Sequence, residues 1–330
     1  MTSLRVLHVV PHLDRVGGYE RQALALARVQ NRRPDTATIL LTHEAPGLPA
    51  METTEAGRIH RLPRGLLRHH PGRWWREHGP HVDVVHAHAL HKLSGQIVAR
   101  AHAVGIPSVV KVATAGDVDL FAEPELRHAA LDGDDRAPGG PRWRYMLRTS
   151  FLRLRLADVF LALNGDIEAE LARHALPSRR ADNGVDVGHF RPPSAAERRE
   201  VRARLSLPQD AFVVVSVGRL SARKDHGCLV DAFARGLGDR PDAYLLLAGD
   251  GPLREALSAR VSERGLAERI LLLGARDDVR PLLWAADVCA HVARREGQPN
   301  AVLEALACGL PIVPSDIGPH RDLLRDGAVL

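Results

Sequence analysis

Cysteine is scarce in this chain. Cys228, Cys289 and Cys308 are the only three in 330 residues, and none stands at the short spacing of a zinc or redox pair. A disulfide framework and a cysteine metal site are therefore excluded, and a reducing cytoplasm is the natural setting. Long apolar runs are also missing. No window reaches the roughly 18 uninterrupted apolar residues of a membrane-spanning helix. Met1 to Pro11 holds one Arg and a short apolar run. It reads as a first strand, because a secretory signal needs a longer apolar block and a small-residue cleavage site. Lysine is rarer than arginine to an unusual degree: Lys92, Lys111 and Lys224 stand alone among 45 basic residues. In such a chain a retained Lys hints that a compact ammonium is wanted. The net charge is +5, yet the basic residues are scattered and no block resembles a nucleic-acid arm, so nucleic acid is not an expected partner. One cluster departs from this scatter. Arg142, Arg144, Arg148, Arg153 and Arg155 share one predicted helix, a pattern that fits peripheral contact with the anionic inner face of a membrane.

What is present fits a soluble globular chain long enough for two domains, with 45% hydrophobic and 26% charged residues. In the first half, strands are expected at 4–10, 36–42, 82–86, 108–112 and 158–163. Helices are expected at 20–30 and 92–103. The second half restarts the alternation. Its expected strands are 211–217, 243–248, 270–273, 287–292 and 311–313, with helices at 195–205, 229–235, 253–264 and 300–308. Short apolar strands between helical periods predict parallel sheets with helices on both faces, hence an α/β fold. The division belongs near Asn183-Gly184 and Pro192-Pro193, which gives domains 1–186 and 187–330. Residues 132–141, rich in Asp, Gly and Pro, read as a loop.

The sharpest local feature is Glu296-Gly297-Gln298-Pro299-Asn300 followed by Glu304. Glu296 is expected in a loop after a strand, Pro299 near the first turn of the next helix, and Glu304 just over one turn in. Ligands bind at the C-terminal ends of parallel strands. The N–H groups from Gln298 to Asn300 suit an anion, a carboxylate such as Glu304 suits a ribose diol, and Glu296 suits sugar hydroxyls. Gly218 ends a strand and lets the backbone approach a ligand. Arg219 and Lys224 suit a diphosphate, one as a planar fork and the other as a point charge. Gly249 and Gly251 shape a turn. Gly17 and Gly18 lead from the first strand into a helix and present N–H groups. The third glycine of a dinucleotide fingerprint is missing, which argues against NAD. His86 and His88 face the same way at a strand end and suit an acceptor or sugar. They lack a third ligand at metal spacing, so zinc is not expected.

Together these segments resemble the retaining glycosyltransferases of the GT4 family, which have the GT-B fold of two Rossmann-like domains facing across a cleft. The stretch from Glu296 to Pro311 is similar to the family's E-x₇-E signature. Val217-Gly218-Arg219-Leu220 with Lys224, the turn Gly249-Asp250-Gly251-Pro252-Leu253, Asn183-Gly184-Val185-Asp186 with Phe190, Gly17-Gly18-Tyr19-Glu20 and Val85-His86-Ala87-His88 agree in order and spacing. The resemblance implies transfer of a sugar from a nucleoside diphosphate sugar to a glycan, lipid-linked or small-molecule acceptor, as in polysaccharide biosynthesis. Arg219, Lys224 and Glu296 would be catalytic, Arg219 and Lys224 taking the place of a metal. Gly17, Gly18, Gly218, Gly297, Gln298, Pro299, Asn300 and Glu304 would bind the donor. No metal or cofactor is implied.

Two departures stand out. Many relatives carry a His where this chain has Ala113; Lys111, Thr114 or Gly116 would substitute for it at phosphate or sugar. The chain stops at Gly327-Ala328-Val329-Leu330, where a further strand begins, so an incomplete second domain is expected. These departures keep a catalytically inert sugar-nucleotide binder in play, and the fold also hosts epimerases and phosphorylases.

Overall fold

β-branched and leucine-rich runs form two separate sheets, one in each of two units. The computed structural model describes residues 3–13, 17–63, 70–122 and 141–324. The first unit ends at Asn183 and the second begins at Gly184, three residues before the division expected from the sequence. Most of the loop expected at 132–141 and the start of the terminal strand at 327–330 lie outside the described residues.

The first unit runs β1 (Leu4–Val9), α1 (Gly18–Asn31), β2 (Thr36–His43), β3 (Met51–Thr54), β4 (Gly57–Leu62), α2 (His70–His78) and β5 (Val84–Ala87). It continues with α3 (Lys92–Ala103), β6 (Ser108–Lys111), α4 (Asp117–Ala122), α5 (Pro141–Leu154), β7 (Val159–Ala162), α6 (Gly165–Arg173) and β8 (Ser178–Arg180). Its sheet has the order β3-β4-β2-β1-β5-β6-β7-β8. Only β3 and β4 pair antiparallel, as an edge hairpin. β1 lies near the centre, and its last four residues are all buried, as a parallel strand covered on both faces requires. The hairpin and β8 lack an apolar period, and α2 is a short helix that buries Trp74 and Trp75 on one face. In β4 the polar His60 and Arg61 are buried because they are paired: His60 Nδ1 accepts from Trp74 Nε1 at 3.0 Å, and Arg61 meets Glu52.

The second unit runs α7 (Ala195–Arg204), β9 (Phe212–Val217), α8 (His226–Leu237), β10 (Ala243–Ala248), α9 (Arg254–Glu263) and β11 (Ile270–Gly274). Then follow α10 (Arg280–Ala285), β12 (Val288–His291), α11 (Asn300–Ala307), β13 (Ile312–Pro314) and α12 (Gly318–Leu323). The sheet order is β11-β10-β9-β12-β13, all parallel. Residue alternation sends Val213, Val215 and Leu246 to one core, with Val302 and Leu283. Val214, Leu245 and Leu247 go to the other, with Val230 and Leu257. Ser194 and Glu197 close a capping box at the start of α7. Arg202 of α7 is 3% exposed and bonds the carbonyls of Ala285, Gln209 and Ala211 and the Asp287 carboxylate. Among the described residues no helix is long and apolar enough to cross a membrane.

Candidate active site

Each core strand of the second unit delivers a loop at its C-terminal end, and two of these loops interlock. After β9, Gly218 continues the ladder by donating to the Ala248 carbonyl at 2.9 Å. Arg219 is exposed and Leu220 buried. A 3-10 turn covers Ala222–Lys224, and Asp225 takes a left-handed conformation (φ 40°) before α8 begins. The neighbouring β10 loop packs directly on this backbone. Gly249 has φ +149°, and a Cβ there would sit 1.9 Å from the Gly218 carbonyl oxygen; one at Gly251 would sit 2.4 Å from that of Leu220. These glycines therefore shape the loop, as the sequence suggested. At Gly218 an added Cβ would meet the Lys224 side chain at an ordinary 3.6 Å, so Gly218 abuts the lysine stem.

The loop after β12 brings Glu296 onto Lys224. Arg294 N donates to the Arg223 carbonyl at 2.8 Å, tying the loops backbone to backbone. Lys224 Nζ stands 2.5 Å from Glu296 Oε1, and Arg223 Nη1 donates to Glu296 Oε2 at 3.1 Å. Burial by itself would raise the Glu296 pKa. The Lys224 and Arg223 charges outweigh it and hold the carboxyl at about 2. Burial lowers the Lys224 pKa, with Glu296 opposing the change. Arg223 is a member of this site that sequence reading missed; only its adjacency to Lys224 could have marked it.

A histidine relay supports the lysine from behind. His320 Nδ1 lies 2.7 Å from the Ser315 carbonyl, which only accepts, so that nitrogen carries the proton. In the neutral ring His320 Nε2 then accepts, and His291 Nδ1, 2.9 Å away, donates. His291 Nε2 is left as the acceptor for Lys224 Nζ at 3.2 Å. Burial holds both imidazoles below their ordinary pKa, so the neutral state holds at neutral pH. The ammonium has three donors. His291 and Glu296 engage two, which leaves one for a ligand.

Gly297, Gln298 and Pro299 are buried in the same loop. Pro299 is the N-cap of α11, one position before the first turn expected, and has no N–H to offer. Glu304, 9% exposed, lies within α11. Burial and the Glu304 charge push the Cys289 thiol up to about 12. The structure thus gathers Gly218, Lys224 and Glu296 with Arg223, His291 and His320, places Arg219 next to Gly218, and sets Glu304 in the helix that follows.

In the first unit, Gly17 is the N-cap of α1 and Gly18 its first residue; a Cβ on Gly17 would meet Glu20 Oε2 at 2.6 Å. Lys111 ends β6 and donates to Asn183 Oδ1 at 2.5 Å, and burial lowers its pKa to about 8. The Gly116 N–H is taken by Glu170, which also accepts from Val118 N at 3.2 Å. His86 and His88 stack with ring centroids 4.1 Å apart. His8, on the neighbouring strand, joins them, a neighbour the sequence did not indicate.

Residues 211–329 match the family described as Glycosyl transferases group 1. The chain is 28% identical over 350 residues to the 2-deoxystreptamine N-acetyl-D-glucosaminyltransferase of Streptomyces fradiae, covering 94% of this chain and 77% of that protein. It is 38% identical over 126 residues to the lipopolysaccharide core biosynthesis glycosyltransferase LpsE of Rhizobium meliloti, of which it spans only 36%. In architecture it resembles HepE of Anabaena, crystallised in complex with UDP-glucose: TM-score 0.78 and 19% identity, over 99% of this chain and 85% of that one. The two Rossmann-like units are those of the GT-B fold class.

Proposed function

We propose, since this chain belongs to the group 1 glycosyltransferases, that it transfers a hexose-type sugar from a nucleoside diphosphate donor to an acceptor with retention of anomeric configuration. The observation that carries the reading is the buried contact of Lys224 with Glu296, backed by Arg223 and the His291–His320 pair. The third N–H of Lys224 and the fork of Arg219 hold the diphosphate and stabilise the charge that builds on it as the sugar leaves. Two cations at that point do the work of a metal ion. Glu296, ionised at neutral pH, accepts from a hexose hydroxyl. Glu304 takes the ribose diol, and the N–H groups of Gln298 and Asn300 face the donor anion. No protein nucleophile is required, so rate acceleration comes from positioning and leaving-group stabilisation.

The acceptor is a glycan, a lipid-linked sugar or a small molecule, met by the first unit around His86, His88 and Lys111. Exposed arginines of α5 beside exposed Tyr145 (68%) and Leu152 (62%) favour work at the anionic inner face of a membrane. The three free cysteines fit the cytoplasm.

A thermal-shift screen of UDP, GDP, ADP and dTDP sugars identifies the donor, since a ligand of the folded state raises the melting temperature. With that donor, Lys224→Ala and Arg219→Ala are each expected to lose about 100-fold or more in turnover, the range for removing one charge-stabilising donor. Near-normal turnover in both defeats the diphosphate assignment.

A further inference from the structure

Three histidines of the first unit meet at the C-terminal edge of its sheet. His8 on β1 and His86 on β5 are register partners in a parallel pair, so they project to one face from adjacent strands. His88 follows two residues later, its N–H donating to the Val9 carbonyl at 3.0 Å, and it keeps the same face. Ring centroids lie 5.6 Å apart for His8–His86, 5.1 Å for His8–His88 and 4.1 Å for His86–His88. One ring nitrogen from each histidine lies within 4.8 Å of the other two.

We propose that His8, His86 and His88 bind one divalent transition-metal ion of the zinc type, apart from the donor chemistry. Imidazole triads suit such ions, and three protein ligands leave a fourth tetrahedral position for water. The protonation of His8 is already set. His8 Nε2 is 2.7 Å from Gln30 Oε1, an acceptor, so the proton sits on Nε2 and Nδ1 turns a lone pair inward. A fixed outer partner of this sort orients metal-ligating histidines generally. His88 Nε2 stands 2.8 Å from that lone pair and so carries a proton, which moves to its own Nδ1 when the ion enters. His86 Nε2 and His88 Nδ1 are buried with no hydrogen-bond partner among the described residues. A metal ion would give the His86 nitrogen the partner it lacks.

Binding needs modest adjustment. Ligand nitrogens around a tetrahedral ion with bonds of about 2.0 Å stand roughly 3.3 Å apart, so the His8–His88 contact opens by about half an ångström. Burial keeps the rings uncharged, with His8 at about 4 and His86 at about 3, so no proton charge competes for the site at neutral pH. Lys111 is the opposing charge: its ammonium disfavours protonation of His86 and His88, and it would disfavour a dication too.

The test uses the tag-free full chain, stripped with chelator and titrated with Co²⁺. One equivalent is expected to produce the intense visible absorption of tetrahedral Co²⁺, abolished on adding Zn²⁺. His8→Gln and His86→Gln should each weaken binding at least 100-fold. Gln30→Leu, which removes no ligand but takes away the partner that orients His8, should weaken it about tenfold. His12→Gln, in a neighbouring group with His43 and His91, should leave it unchanged. An octahedral or absent Co²⁺ spectrum in the wild-type chain overturns the proposal, without recourse to any variant. So does a tetrahedral spectrum that survives His8→Gln and disappears in His12→Gln.

Discussion

The relay behind Lys224 makes a quantitative prediction. His291→Leu removes the only acceptor the relay offers Lys224, at 3.2 Å, while keeping apolar bulk. His291→Gln keeps an acceptor oxygen at nearly the same reach. A hydrogen bond to a charged donor contributes about 1.5–3 kcal/mol, and the surroundings are buried, so water does not replace it. Lys224 is already penalised by burial, and its remaining partner, Glu296, is shared with Arg223. If Lys224 grips the diphosphate, the loss passes to ligand affinity as a factor of roughly 10 to 150. UDP binding by titration calorimetry is the assay, with thermal melting run in parallel to confirm a folded protein. His291→Leu should weaken UDP by that factor, and His291→Gln by no more than about threefold, under 1 kcal/mol. His320→Phe should fall between them, because it frees His291 to place its proton on Nε2, facing the ammonium. If His291→Leu binds UDP as tightly as wild type, or if Leu and Gln weaken it equally, the relay does not hold the lysine.

Other perturbations act on the scaffold. Gly249→Ala puts a methyl group 1.9 Å from the Gly218 carbonyl at a strained φ, and should cost about 3 kcal/mol or more in urea unfolding along with nucleotide binding; a stable variant with normal binding would show the β10 loop to be slack. Arg202→Ala strips partners from three backbone carbonyls and the Asp287 carboxylate, so unfolding should lose about 3 kcal/mol, a melting decrease of roughly 10 °C; a change under about 3 °C refutes this. Glu170 carries a pH signature. Burial raises its pKa to about 7 against the bonds from Gly116 and Val118. Its folded pKa lies above its unfolded value of about 4.5, so the folded state holds the extra proton between those limits. Stability is full below pH 4.5 and falls as pH rises to about 7, by about 3 kcal/mol. Glu170→Gln should remove that slope; parallel stability profiles for both proteins between pH 5 and 8 would contradict it.

The sequence by itself determined the local periods and the loop chemistry. The apolar β-branched runs, the helical spacings and the turn at Asn183-Gly184 were enough to give strand and helix alternation in both halves, with α3 legible to its end residues. Lys224 and Glu296 were legible because each sits where a strand gives way to a loop. Their partners were not. Arg223 and His291 read as ordinary residues, and His320 stands 29 positions from His291; only β12 and β13 lying side by side brings them together. The grouping of His8 with His86 and His88 was hidden for the same reason, since His8 and His86 are neighbours solely through the β1–β5 register. The β3–β4 hairpin escaped because its buried positions include His60 and Arg61, polar side chains that break the apolar alternation and are satisfied by Trp74 and by Glu52 across the hairpin. Periodicity reports which face of an element is buried. Which side chain from a distant strand will meet it there is decided by sheet order and register, and those emerge only when the whole core packs.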